Sequence, residues 1–109
     1  MSDIKLLQSE ILAFRDARDW AQFHNTKDLA AGLSIEAGEL QECFLWKKPE
    51  EADPAKIREE LADVLVYALL IAHQANIDIP EAIRAKLKAN AAKYPVEKAK
   101  GRADKYDKL

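Results

Sequence analysis

Four acidic residues set the chemical question. Glu36 and Glu39 stand three apart in SIEAGELQE, and Glu60 and Asp63 stand three apart in REELADVLVY. Both stretches read as helix, where residues three apart share a side. Leu29, Leu33 and Leu40 cluster in one narrow sector of the second helix, and Glu36 falls inside that sector. Glu39 flanks it. On the other stretch, Tyr67 lies one turn beyond Asp63 and Glu59 points toward solvent. If the two helices pack together, four carboxylates converge. Two like charges about 4 Å apart repel by roughly 4 kcal/mol at an effective dielectric of ~20, and desolvation adds to this. Protonation relieves such crowding, and so does a divalent cation. A donor set made only of carboxylates suits a hard ion, Mg²⁺ or Mn²⁺, and Mg²⁺ commonly bridges to substrate phosphates. A lone acid pair at this spacing is usually a solvated helix face. Two pairs, one of them inside a leucine sector, point instead to a metal-phosphate site. Glu42 stays outside the metal set, and Gly38 is read as a place where a neighbour or ligand approaches closely.

These acids need helices to position them. The first helix is expected from Ser2 or Asp3 to Ala17, with Ile4, Leu7, Ile11 and Phe14 as its stripe. RDWAQFHN breaks the pattern and ends at an N-cap, Asn25 or Thr26. The second helix is expected from Lys27 to Trp46 and is stopped by KKPEEADP. Asp53-Pro54 opens the third, which runs to about Ala75. From Val64 onward that helix is apolar nearly all round, which implies a central helix, a subunit interface, or both. Asp78, Pro80 and Glu81 start the fourth, which ends near Tyr94 ahead of Pro95. With three Gly and four Pro in 109 residues, few turns are written in. The expected fold is all-α, a four-helix bundle in a single domain over residues 1–109, with a charged tail from about residue 96 that forms a mobile arm or a strap. Trp20 and Trp46 read as core, His24 as a loop or capping residue, and Cys43 as a small buried hydrophobe.

Composition narrows the function classes. A net charge of -2 argues against a nucleic-acid-coating protein. One cysteine fits a reducing cytoplasm, and the N-terminus lacks the apolar core of a signal peptide. The longest apolar run, Val64 to Ala72, is far shorter than the roughly 20 residues of a bilayer span. No zinc spacing, P-loop, GxGxxG or GxSxG is present.

The ordered set EAGE, EELADVLVY, RDWAQFHN, FLWKK, KYP and the terminal KY resembles the all-alpha MazG-like nucleoside triphosphate pyrophosphohydrolases, in particular their dCTP pyrophosphatase branch. The resemblance covers nearly the whole chain. It implies hydrolysis between the α and β phosphates, giving a monophosphate and pyrophosphate, in nucleotide-pool house-cleaning. Carried over by position, Glu36, Glu39, Glu60 and Asp63 would be ligands for Mg²⁺ or Mn²⁺. Glu39 is the candidate general base. Trp20, Trp46, Tyr67, Asn90 and Lys93 would contact the nucleotide, and Lys105 and Tyr106 match the tail motif. The resemblance also implies a homo-oligomer, a dimer or dimer of dimers. One position departs from the branch: Ile11 stands where the vertebrate enzymes carry a base-contacting His, which leaves base discrimination looser or built elsewhere. The competing expectations are the same fold acting on dUTP or phosphoribosyl-ATP, and a non-enzymatic helical interaction module.

Overall fold

The computed structural model describes residues 2–109. Among them there is no strand, and the chain is all-α. It divides into two compact units, one reaching to Ile77 and the other Asp78–Leu109.

The first unit holds three helices: α1 (Asp3–Ala17), α2 (Thr26–Glu42) and α3 (Pro54–Gln74). Each start has the cap its sequence calls for. The Ser2 hydroxyl accepts from the Lys5 N–H at 3.2 Å, the Asn25 side-chain oxygen from Asp28 at 2.9 Å, and the Asp53 carboxylate from Ala55 at 3.0 Å. The α2–α3 pairing dominates the unit, and α1 joins α3 more lightly. One tie between them is the Gln8 side-chain amide, which donates to the Leu69 carbonyl at 2.9 Å.

α2 is shorter than its sequence pattern suggests. It ends at Glu42, and a turn carries the chain through Trp46, whose φ is +61°. A non-glycine residue in that region is held at a cost of about 1–3 kcal/mol. The turn projects the Trp46 ring outward, 94% exposed. The expectation of core tryptophans is therefore corrected for both: Trp46 stands on a turn beyond the end of α2, and Trp20, in the segment after α1, is 45% exposed. Cys43 is buried, as its size and polarity suggest.

The core is small, formed by Leu29, Cys43, Ala52, Leu70 and Ala72. In the apolar half of α3, from Val64 to Ala72, Leu70 and Ala72 are buried and only Leu65 is exposed; Leu61, ahead of it, is exposed as well. An apolar groove of about 550 Å³ runs between α1 and α3, lined by Leu7, Ile11, Phe14 and Leu65 among others.

Of the two glycines of α2, it is Gly32 and not Gly38 that a side chain of α3 approaches closely. A Cβ on Gly32 would lie 2.8 Å from Cζ and 2.9 Å from Cδ1 of the Tyr67 ring, whereas one on Gly38 would meet nothing within 4 Å. Gly32 is one turn before Glu36 on α2, and Tyr67 is one turn after Asp63 on α3. The glycine thus lets an aromatic ring lie flush between the helices beside the acid cluster.

The second unit is built on α4 (Ile79–Lys93), capped by the Asp78 carboxylate, which accepts from the Glu81 N–H at 3.1 Å. After Pro95 come a single helical turn, α5 (Val96–Ala99), and a charged tail. The tail folds back on the end of α4. Tyr106 meets Tyr94 edge to face with centroids 6.1 Å apart, and the Lys93 ammonium sits 4.9 Å from the Tyr106 ring centroid. A free arm is thus not what these residues form.

The two glycines of α2 give opposed expectations for urea denaturation. Gly38→Ala adds a methyl in open space and stabilises by up to about 1 kcal/mol through helix propensity. Gly32→Ala pushes into the Tyr67 ring and destabilises by about 1–3 kcal/mol.

Candidate metal and nucleotide site

The α2–α3 pairing brings the acids together. Glu36, Glu60 and Asp63 each offer a carboxylate oxygen, and these oxygens all lie within 4.8 Å of one another. Glu36 and Glu60 are half-buried and Asp63 is exposed. Glu39 lies beside them, outside this tight triad. Its carboxyl is pushed above its usual value, first by a shared hydrogen bond with Glu36 and then by the Glu36 charge. Glu60 is raised as well, first by burial and then by a shared hydrogen bond with Glu39. The nearest counter-charge on Glu60 is the Lys56 ammonium, 3.8 Å away and also 3.8 Å from Glu59.

The partners these oxygens lack are informative. Among the described residues, three buried side-chain atoms have no hydrogen-bond partner: Glu36 Oε2, Glu60 Oε2 and His24 Nδ1. Buried polar atoms are rarely left in that state. Two of the three belong to the carboxylate triad. Buried, unpartnered and purely anionic oxygen donors fit a hard divalent cation, which would satisfy both oxygens and relieve the crowding.

One cavity opens on Glu60 of the triad, the α1–α3 groove reaches Asp63, and a third cavity begins one turn beyond, at Tyr67. The first, of about 430 Å³, is lined by Glu39, Glu42, Cys43, Lys47, Asp53, Lys56 and Glu60. It settles where Glu42 points: into this cavity, beside two lysines. The third, of about 280 Å³, is lined by Trp20, Phe23, His24, Asp28, Leu29 and Tyr67. Here the third unpartnered atom appears, His24 Nδ1. Burial, followed by the Arg15 charge, lowers the His24 pKa, so the imidazole is neutral at neutral pH. A neutral imidazole among aromatic rings can stack on and hydrogen-bond a planar heterocycle.

Trp20 and Tyr67 share this aromatic pocket, as their expected common role requires. Trp46 stands on its exposed turn and lines none of these cavities. Asn90 and Lys93 lie on α4 in the second unit, where the Lys93 ammonium faces Tyr106. Sequence reasoning missed His24, Asp28, Lys47 and Lys56. The first two belong to a loop and a helix start, which carry no periodic signal. The two lysines are ordinary surface residues until the fold places them across from the acids.

Residues 32–109 match the model of the MazG-like family. The chain belongs to the MazG-like family. Its relatives agree along the full length. The dCTP pyrophosphatase 1 of Bos taurus is 38% identical over 117 residues, spanning 100% of this chain and 68% of the relative. That of Homo sapiens is 37% identical, with 67% of its length covered. The crystal structure of a pyrophosphatase from Archaeoglobus fulgidus superposes with a TM-score of 0.81 at 35% identity. It covers 87% of this chain and 94% of its own. Within this MazG-like chain the family match begins at Gly32, so the aromatic pocket's Trp20, His24 and Asp28 lie ahead of it.

The raised carboxyls fix the sign of a pH effect. Glu39 and Glu60 bind protons more tightly in the folded state than in the unfolded chain, whose reference value is 4.5. Their contribution is therefore fully favourable below that value and is lost as pH rises through the folded values. The metal-free protein should lose melting temperature across this window, and Mg²⁺ or Mn²⁺ should raise it more near neutral pH than at about pH 5. A ligand at 100 times its Kd adds about 2.7 kcal/mol. Glu36→Gln or Asp63→Asn should abolish that metal-dependent shift.

Proposed function

We propose that this chain is a divalent-metal-dependent nucleoside triphosphate pyrophosphohydrolase. Its substrate is dCTP or a related or modified pyrimidine deoxynucleotide, which it converts to the monophosphate and pyrophosphate. One observation carries the reading. The three unpartnered buried atoms fall into two places, the carboxylate triad and the aromatic pocket, and these meet at the Gly32–Tyr67 contact. A metal-nucleotide ligand satisfies both places at once. The names of the Bos taurus and Homo sapiens relatives supply dCTP as the substrate.

Glu36, Glu60 and Asp63, with Glu39 beside them, would hold Mg²⁺ or Mn²⁺. Such an ion supplies positive charge that neutralises the polyphosphate and stabilises the charge developing on it. The remaining work belongs to the chain. Glu39 is the general base: it flanks the triad and lines the larger cavity, where it takes the proton of the attacking water. The water oxygen bonds to the α-phosphorus, the bond from that phosphorus to the α–β bridging oxygen breaks, and pyrophosphate departs with the electron pair. Lys47 and Lys56 balance phosphate charge from across the larger cavity. Trp20 and Tyr67 stack the base, with His24 at its edge. Trp46, Asn90 and Lys93 are further nucleotide contacts by their positions in the family pattern. The exposed Leu61 and Leu65 support a homo-oligomer, a dimer or dimer of dimers. No single helix is long and apolar enough to cross a membrane, and a nucleotide-pool role would place the enzyme in the cytoplasm.

A nucleotide panel assayed for pyrophosphate release, with and without Mg²⁺, tests this reading. The expected result is metal-dependent release of one pyrophosphate per dCTP. Orthophosphate released one unit at a time would contradict it. Glu39→Gln should lower kcat by about 10²–10⁴-fold, the range expected for losing a positioned base.

A further inference from the structure

The aromatic pocket contains one formally charged side chain that folding only partly explains. Asp28 is the third residue of α2, where an acid is favoured by the helix dipole and where the Asn25 oxygen accepts from its N–H at 2.9 Å. The side chain does more than complement a dipole. Asn25 Nδ2 donates to Asp28 Oδ2 at 2.7 Å, which fixes the carboxylate's orientation. Among the described residues no other donor reaches this carboxylate, so Oδ1 is free of protein partners, and Asp28 lines the 280 Å³ cavity. The other polar side chains of that wall are the neutral His24, Tyr67 and Trp20 with its indole N–H.

Position along α2 gives this free oxygen a meaning. Asp28, Gly32 and Glu36 follow at four-residue intervals, so they line one side of the helix. Asp28 is then two turns, about 12 Å of helix rise, from Glu36. That separation matches the reach of a nucleotide from its α-phosphate to the far edge of its base. With the phosphate at Glu36 and the ring stacked at Trp20 and Tyr67, the base's outer edge arrives at Asp28. A carboxylate accepts hydrogen bonds and cannot donate them. Cytosine presents a 4-amino donor at that edge, and uracil or thymine presents a 4-oxo acceptor.

Resting on the nucleotide reading above, we propose that Asp28 is the specificity-determining residue of this chain: its free carboxylate oxygen accepts a hydrogen bond from the exocyclic amine of the base and repels the keto oxygen of the alternatives. It also gives a physical reason why Ile11, apolar and lining the α1–α3 groove, need not read the base.

The test compares kcat/KM for dCTP and dUTP in wild type and in Asp28→Asn, which keeps the shape and can donate to a keto oxygen. The dCTP/dUTP ratio should fall by at least about tenfold, the size expected when a charged hydrogen bond is lost and a repulsion relieved. A ratio that moves less than about twofold, in a variant whose melting temperature matches wild type, overturns the assignment. A second measurement needs no variant. The triphosphate of the 2-pyrimidinone deoxynucleoside lacks the 4-substituent and adds no bulk. In wild type it should be used at least about tenfold less well than dCTP, and equal use overturns the proposal. If wild type releases no pyrophosphate from dCTP, the functional reading itself has failed; if it does and these ratios do not move, only the role of Asp28 has failed.

Discussion

The structure turns on the packing of two helices that each carry acids toward the other. α2 and α3 form the dominant contact of the first unit, and that contact places the Glu36, Glu60 and Asp63 oxygens within 4.8 Å of one another. Nothing in a hydrophobic core asks for this. Like charges at such distances cost several kcal/mol at moderate dielectric, against a total stability of only about 5–15 kcal/mol for an ordinary domain. The raised carboxyls of Glu39 and Glu60 are the signature of that cost. A fold that accepts it gains a preorganised set of hard oxygen donors. A cation then stabilises the native state by the very interaction that otherwise opposes folding.

Other features follow from keeping these helices close. Gly32 removes a side chain where the Tyr67 ring lies, so the aromatic pocket begins one turn from the acids. The loop before α2 closes that pocket with Trp20, Phe23 and His24, and the first turn of α2 adds Asp28. On the opposite flank the end of α2 and the start of α3 supply Lys47 and Lys56 among further acids. The region therefore has one end rich in charge and another rich in aromatic surface, joined along a shared helix pair. The core is small, and Leu61 and Leu65 stay exposed on α3.

Much of this was legible in the sequence because it is periodic. The acid pairs, Tyr67 and the N-caps at Asn25 and Asp53 follow from helical spacing or local cap chemistry; the structure forms both caps and brings Glu36, Glu60 and Asp63 together, with Glu39 beside them. What periodicity cannot express was missed. Trp46 fits the helical pattern of α2, but the helix stops at Glu42 and a left-handed residue turns the ring outward. Gly38 lies between two site acids and so attracted a role, yet the contact that needs a glycine belongs to Gly32, whose partner Tyr67 is 35 positions away. His24 does stand in the loop before α2, as read, but its place in the wall of the aromatic pocket with Leu29 and Tyr67 is set by the fold and not by local sequence. The charged tail looked free because the Lys93–Tyr106 and Tyr94–Tyr106 contacts are invisible to composition.

The central claim is that the carboxylates crowded between α2 and α3 are a cation site. Anomalous diffraction from crystals grown with Mn²⁺ tests it most directly. The account predicts a manganese peak within about 2.2 Å of oxygens from Glu36, Glu60 and Asp63, lost in Asp63→Asn. A fully formed α2–α3 pair with no peak among these residues, or with manganese bound only elsewhere, would contradict it.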